Sequence, residues 1–179
     1  GSPDKFIAGF DLQTGETVWS VGNDQVDSQT PFLTEIDGQE TVLAVGRRRL
    51  FGVDPGDGRL ILEHPHEGGN ATSVTPVPIG NQAFLMKLDD TFSKAVAIDR
   101  KENETDVSTA WQSRALKNTY NIPVFAADHV FGFSTRILTC VDPQTGRPKW
   151  RNRAPGDGFL IAVDNHLIVS TKNGALHIA

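Results

Sequence analysis

The sequence predicts an all-β fold, a β-propeller built from four-stranded antiparallel blades. The first observation is an internal repeat, whose aspartates stand 43 to 45 residues apart at Asp11, Asp54, Asp99 and Asp142. The second is that the repeat interval holds short apolar stretches separated by turn residues, enough for four strands. The third is a content of 17 glycines and 10 prolines in 179 residues, which favours turns over helices. Four strands in roughly 40 to 50 residues is the size of one propeller blade, so about four blades are present.

Each repeat is centred on a predicted β-hairpin. A short apolar strand precedes every aspartate, the segment Asp-x-x-Thr-Gly then forms the turn, and a second strand follows. Aspartate can accept hydrogen bonds from the turn amides, and glycine takes the positive φ that such a turn needs. We assign a structural role to the following turn residues and to the tryptophans beyond them: Asp11, Gly15, Trp19, Asp54, Gly58, Asp99, Trp111, Asp142, Gly146 and Trp150.

Trp150 is expected to pack against the turn of its own repeat. On that view Trp150 is buried against the turn of Asp142, and replacing it with alanine costs about 3–5 kcal/mol. Two residues before each aspartate the side chain is small, as at Gly9 and Gly52, which leaves room for a large neighbour from the adjacent blade. Cys140 stands in the same column and is interpreted as a buried packing residue.

A single propeller segment is expected to span residues 1–179. Its first part holds only the third and fourth strands of a blade, and its last part only the first three, so each leaves a sheet edge that needs a partner. Self-association, or missing N-terminal blades of a longer protein, is expected to cover these edges. The alternative is that the strand near 16–21 pairs with 175–179 of the same chain and closes a ring of four blades. The expected blade parts are 6–21, 28–64, 72–114, 120–153 and 158–179.

The motif Asp-x-x-Thr-Gly-x-x-x-Trp, with a small residue two positions before the aspartate, resembles the tryptophan-docking repeat of the quinoprotein alcohol dehydrogenase-like β-propellers. Two segments carry it in full, 9–19 and 140–150. Within that superfamily, segments 117–133 and 156–179 are similar to the PQQ-like repeat proteins of bacterial cell envelopes, which include the propeller lipoprotein of the outer-membrane β-barrel assembly machinery. The resemblance implies a ring of seven or eight blades, of which this chain looks like the C-terminal half.

The resemblance implies a non-catalytic binding or scaffold module in the periplasm or otherwise outside the cytoplasm. Two alternatives stay open: a fragment of a PQQ-dependent dehydrogenase, and a purely structural half of a larger propeller. The dehydrogenases of this superfamily hold PQQ over Ca²⁺ with acidic and amide ligands and commonly carry a disulfide of adjacent cysteines. This chain has one cysteine, and no such ligand set is recognisable in its loops. We therefore expect no enzymatic activity, no cofactor and no metal site.

The loops expected at one end of the blades carry an excess of positive charge, although the whole chain has a net charge of −5. Guanidinium groups pair well with carboxylates, so this end is the candidate site for an anionic ligand or a protein partner. The alternative is an ordinary solvated loop surface. The candidate binding residues are Arg47, Arg48, Arg49, Lys117, Asn118, Arg136 and Arg151.

The overall charge excludes one large class of partners. Nucleic-acid-binding proteins present a basic footprint, and this chain is acidic overall, so no nucleic acid is expected. No apolar stretch approaches the ~20 residues of a transmembrane helix, so no membrane span is expected.

Overall fold

The computed structural model describes residues 5–26, 29–65, 75–80, 83–88, 92–101, 104–117 and 121–178. All regular structure in these residues is β-strand. The strands are β1 (Ile7–Phe10), β2 (Thr17–Val21), β3 (Phe32–Ile36), β4 (Gln39–Val45), β5 (Arg49–Val53), β6 (Leu60–Pro65), β7 (Val77–Pro78), β8 (Ala83–Leu88), β9 (Ser93–Lys101), β10 (Glu104–Ser113), β11 (Val124–Ala126), β12 (His129–Ser134), β13 (Ile137–Val141), β14 (Pro148–Asn152), β15 (Gly158–Val163), β16 (His166–Thr171) and β17 (Leu176–Ile178). The chain divides into two compact units, one of residues 1–76 and 98–107 and the other of residues 77–97 and 108–179.

The first unit contains a two-stranded and a four-stranded sheet. Strands β1 and β2 pair antiparallel, with Gly9 opposite Trp19. Strands β3, β4, β5 and β6 pair antiparallel in chain order. Leu43, Leu50 and Phe51 of the two central strands are at most 1% exposed, so this sheet carries the core of the unit.

The second unit contains the sheets β11–β14 and β15–β17, each antiparallel and in chain order. Strands β7 to β10 form a further four-stranded sheet, and residues 98–107 of its β9 and β10 belong to the first unit. Strand β11 contacts both β7 and β15, which are also the first strands of their sheets. Neighbouring first strands are the arrangement by which propeller blades surround a common axis.

The junction between the last two sheets is a hydrophobic core. Phe133 and Leu138 of one sheet are buried together with Leu160, Leu167 and Val169 of the next. Because side chains alternate along a strand, only one face of β15–β17 takes part in this junction. Sheet-on-sheet packing of this kind is how one blade stabilises the next.

The fold class predicted from the repeat is confirmed, since the described residues form antiparallel sheets of up to four strands. The third hairpin differs from the expectation. Strand β9 runs to Lys101 and β10 begins at Glu104, so Asp99 lies inside a strand and does not begin a turn. This copy lacks the Thr-Gly pair, so no glycine supplies the positive φ that closes the other turns, and the two strands extend past the aspartate.

Candidate functional site

Three of the repeat aspartates organise the turn that follows them. Asp11 Oδ1 accepts hydrogen bonds from the backbone N–H groups of Gln13 (2.9 Å) and Thr14 (2.8 Å) and from the Thr14 hydroxyl (3.0 Å). The Thr14 amide and hydroxyl and the Gln13 amide hold the pKa of Asp11 below its ordinary value. Asp142 binds the amides of the second and third residues after it at 2.9 and 3.0 Å, and Asp54 binds the second at 2.9 Å.

A glycine with positive φ closes each of these turns. The φ values are +73° at Gly15, +76° at Gly58 and +68° at Gly146, and each glycine N–H donates to the backbone carbonyl of its aspartate at 2.9–3.0 Å. A β-carbon at Gly58 would stand 2.7 Å from the ring of Trp19, and one at Gly146 would stand 2.5 Å from the ring of Trp111. These two glycines are therefore needed for the backbone conformation and for the close approach of an indole.

Two of the tryptophans dock on the turn of the following repeat. Trp19 Nε1 donates to the carbonyl of Pro55 at 3.1 Å, and Trp111 Nε1 donates to the carbonyl of Pro143 at 2.7 Å. Each proline directly follows the repeat aspartate. In both cases the ring extends from the last strand of one sheet onto the next hairpin, and not onto the turn of its own repeat.

Trp150 lacks this contact among the described residues. It is 43% exposed, whereas Trp111 is 7% exposed. Its ring packs against Phe131 of its own sheet, with ring centroids 5.8 Å apart. The expectation that Trp150 is buried on the turn of Asp142 is therefore wrong.

The small residue before each aspartate makes room for a side chain of its own sheet. Gly52 lies opposite Leu62, and a β-carbon there would stand 2.7 Å from Leu62 Cγ. Gly9 is related to Trp19 in the same way. The large neighbour is thus the cross-strand partner, and not a residue of the adjacent blade as expected. Cys140 is 1% exposed in this column, and burial raises the pKa of its thiol, which agrees with a packing role.

The arginine run lies in the turn between β4 and β5 and is anchored by one buried carboxylate. Asp24 is 3% exposed, and its Oδ2 accepts hydrogen bonds from the backbone N–H groups of Arg48 (2.8 Å) and Arg49 (2.9 Å). Its Oδ1 accepts a hydrogen bond from the Gln25 amide at 2.8 Å and lies 3.5 Å from Arg48 Nε. Arg47 donates to the carbonyl of Gln25 through its amide and to Gln25 Oε1 through Nη1.

Asp24 is ionised in this setting. Burial raises its pKa, but the backbone hydrogen bonds from Arg48, Gln25 and Arg49 and the Arg48 side chain outweigh burial and leave the pKa below its ordinary value. Gly46 permits the contact, because a β-carbon there would stand 2.7 Å from the carboxyl carbon of Asp24. The sequence reasoning missed Asp24, which belongs to no repeat position. The only signal was a glycine directly before three arginines.

The three arginines are not equivalent. Arg49 Nη1 contacts Glu63 Oε1 at 2.5 Å and Asn23 Oδ1 at 2.7 Å, so part of its charge is compensated. The side chain of Arg48 is 72% exposed, although its Nε reaches Asp24. The guanidinium of Arg48 is therefore more open to solvent than that of Arg49, whose side chain is 38% exposed.

The second unit carries the remaining candidate residues. Arg136 lies in the β12–β13 turn and Arg151 lies on β14 opposite Thr139, so antiparallel pairing brings them to the same end of this sheet. Lys117 follows β10. All three are exposed, and none forms an ion pair within the described part of the chain. Asn118 lies outside the described residues.

Among the described residues, no three His, Cys, Asp or Glu side chains come together as a metal site. In the same residues no helix is long and apolar enough to cross a bilayer. A cleft of about 620 Å³ opens in the second unit, at the opposite end of the sheet from Arg136. The lining of the cleft includes the carboxylates of Asp128 and Asp142 as well as His129 and Lys149. These groups of opposite charge favour neither an anionic nor a cationic ligand.

The fold is shared with several solved structures. BamB from Moraxella catarrhalis matches 99% of this chain with a TM-score of 0.67 at 16% identity, and a europium-containing methanol dehydrogenase matches 96% with a TM-score of 0.63 at 11% identity. The computationally designed protein Ika4 matches 88% of this chain and 92% of its own length, with a TM-score of 0.52 at 14% identity. The chain spans 56% of the BamB structure and 43% of the dehydrogenase, about half of each.

Sequence comparison is more specific than the shared fold. No curated protein matches the sequence. One family model, described as outer membrane protein assembly factor BamB, matches residues 2–152, which is most of the chain. Together with the repeat turns and docked tryptophans, this match shows that the chain belongs to the outer membrane protein assembly factor BamB family.

Proposed function

We propose that this chain is a non-catalytic binding or scaffold module of the bacterial cell envelope, acting outside the cytoplasm. It binds an acidic partner protein, or another anionic ligand, at the loop end of its blades. Membership of a family described as an assembly factor supports a scaffold role over a catalytic one. The europium-containing methanol dehydrogenase shares only the fold, at 11% identity. That similarity gives no reason to assign dehydrogenase chemistry to this chain.

The observation that carries the proposal is the arginine loop fixed by Asp24. Two backbone N–H groups of the loop bind one buried carboxylate at 2.8 and 2.9 Å, so the loop has a defined shape before any ligand arrives. Fixing a loop in advance lowers the entropic cost of binding. The Arg48 side chain remains 72% exposed, and a guanidinium can form a two-point contact with a carboxylate.

The second unit carries further candidate binding residues. Lys117, Arg136 and Arg151 are exposed cations in loops or at strand ends, and we include Asn118 from the sequence. Exposed cations act mainly on encounter rate and partner choice, and their effect weakens with salt.

The proposal is tested by photocrosslinking in the bacterium, with a crosslinking amino acid at position 48 of the native protein. The control is position 59 of the same unit. Arg59 is also exposed and pairs with Asp54, but it lies at the opposite end of β5. We expect an extracytoplasmic protein to crosslink at position 48 and not at position 59. Equal crosslinking at both positions, or a cytoplasmic partner, would contradict the proposal.

Binding measurements with the purified chain and its partner give the affinity of the interaction. Once the crosslinked partner is known, Arg48→Glu is expected to weaken its binding at least tenfold with an unchanged melting temperature. Arg59→Glu serves as the charge-matched control and should leave the affinity within about twofold. Loss of affinity in both variants would indicate a general charge effect and not a site.

A further inference from the structure

The outermost strand of one sheet is open to solvent. β14 is the last strand in the order β11-β12-β13-β14, and every residue from 147 to 154 is exposed. Strands β6 and β10 hold the same place in their own four-stranded sheets, so an outer edge is a property of the repeat itself. A strand in this place directs every other backbone N–H and C=O away from its sheet, where an added strand can bind them.

Cations alternate along β14. Lys149 and Arg151 lie on the strand and Arg153 directly follows it, at intervals of two residues. Side chains alternate along a strand, so Lys149 and Arg151 share one face. Trp150 lies on the opposite face, where its ring packs against Phe131. The cations therefore point away from the apolar face of the sheet.

The face that carries the cations is accessible. Lys149 lines the cleft of about 620 Å³, together with Ala83 of β8 and Ala110 of β10. Arg151 lies further along the strand, opposite Thr139. Within the described residues neither cation forms an ion pair, so both charges are available to a ligand.

The charge of β14 is opposite to that of the equivalent strands. The charged side chains of β6 and β10 are Glu63, Glu104 and Asp106, all of them carboxylates. Like charges directly opposite each other destabilise a strand pair, so the cations of β14 disfavour pairing with β14 of another copy. Opposite charges stabilise such a pair. The strand is thus suited to an incoming strand with carboxylates at alternate positions.

We propose that β14 accepts an acidic, extended segment of a partner protein as an added strand of its sheet. Alternate carboxylates of the segment, about 7 Å apart in an extended chain, face Lys149, Arg151 and Arg153. Pro148 has no N–H to donate, so the main-chain pairing lies beyond it, along 149–152. In this mode the main chain supplies affinity and the alternate side chains supply specificity.

The inference rests on the proposed function for the acidic nature of the partner, and adds to it a strand edge and a sequence pattern. A second copy of this chain is a poorer occupant. Pairing β14 of one copy with the acidic β10 of another would join the copies head to tail, and such contacts build open chains unless the rotation closes.

Fluorescence anisotropy with the purified whole chain tests the proposal. The probe is a labelled peptide of about nine residues in which glutamate and threonine alternate, a length and composition suited to a strand. We expect a dissociation constant of about 10–100 µM at low salt, and binding at least tenfold weaker for the same peptide with lysine in place of glutamate. Methylating the backbone nitrogens of only the glutamates, or of only the threonines, keeps the charge. One of these two peptides should bind at least tenfold more weakly, because only one set of N–H groups faces β14.

Variants locate the site. Arg151→Glu should raise the dissociation constant of the glutamate peptide at least tenfold, whereas the charge-matched control Arg59→Glu should change it by about twofold at most. The double variant Lys149→Glu/Arg151→Glu should prefer the lysine peptide, because the charges of the edge are then reversed. Thermal melting checks that each variant is folded.

Hydrogen exchange of the backbone amides gives a readout that charge alone would not move. Bound glutamate peptide should slow exchange in 149–153, because an added strand accepts hydrogen bonds from amides that otherwise face water. The amides of β6 are the internal control, since this strand has the same place in its sheet but carries Glu63, and their exchange should not change.

Four results would overturn the proposal. The glutamate peptide may show no binding up to about 1 mM. Both methylated peptides binding as tightly as the unmodified one would indicate attraction by charge without strand addition. Protection from exchange outside β14 would place the peptide elsewhere. Self-association of the chain that Arg151→Glu abolishes, seen by sedimentation velocity, would assign the edge to a second copy. The crosslink at position 48 reports on the arginine loop alone, so failure here is distinguishable from failure of the proposed function.

Discussion

Trp111 and Trp150 occupy equivalent positions in one unit but differ in their surroundings, so alanine replacements at the two should differ in cost. Trp111 is 7% exposed, covers Gly146 and donates a 2.7 Å hydrogen bond to Pro143. Removing a buried tryptophan costs about 3–5 kcal/mol. Trp111→Ala should fall at the upper end of that range, because it also leaves a carbonyl without its donor.

Trp150→Ala should cost about half as much. The side chain is 43% exposed and has no docked turn among the described residues, so mainly its contact with Phe131 is lost. We expect about 1.5–2.5 kcal/mol, and thus a difference of about 3 kcal/mol between the variants. Urea unfolding followed by circular dichroism measures it, with midpoints expected about 1 M apart. The measurements are made at a protein concentration near 1 µM, which limits self-association. Equal losses of unfolding free energy in the two variants would contradict docking on the following turn as the source of the stability that Trp111 contributes.

Three further changes test other parts of the structure. Gly146→Ala should cost about 1–3 kcal/mol more than Gly15→Ala in urea unfolding, because both glycines have positive φ but only Gly146 lies under an indole; equal costs would contradict the docked geometry. Asp24→Ala should lower stability by about 2–3 kcal/mol near neutral pH. Since the folded-state pKa of Asp24 is below its ordinary value, its contribution is present above about pH 4 and is lost as the pH falls through the folded pKa, so parent and variant should converge in acid unfolding curves. Equilibrium dialysis with PQQ and Ca²⁺ should show no binding in the micromolar range, and micromolar affinity would favour the dehydrogenase alternative.

The repeat made the fold predictable, and its local turns especially so. Asp11 and Asp142 with their Thr-Gly pairs specify a hairpin through contacts that lie within five residues, and such contacts can be read from spacing alone. The direction in which a tryptophan docks could not be read in this way. The indole N–H of Trp19 binds the carbonyl of Pro55, which lies 36 residues further along the chain. Its own turn and the next turn both satisfy the same motif, so the spacing of the motif does not tell which turn the ring contacts.

The candidate site was less predictable than the fold. The arginine run was visible as charge, but Asp24 binds it from 24 residues away and belongs to no repeat position. Whether an arginine is compensated depends on side chains such as Glu63 that only the sheet brings near. The extension of β9 past Asp99 was missed because the repeat period held while the turn residues within it had changed.

The docking of a tryptophan on the turn of the following repeat gives the contacts between repeats a direction along the chain. Each docked tryptophan joins two successive repeats, since the indole ring belongs to the earlier repeat and the turn beneath it belongs to the later one. Loosening the turn of Gly58 or of Gly146 therefore releases the last strand of the preceding repeat, β2 or β10, because the tryptophan of that strand packs on the turn. Through this contact, a defect in either turn reaches the repeat that precedes it in the sequence.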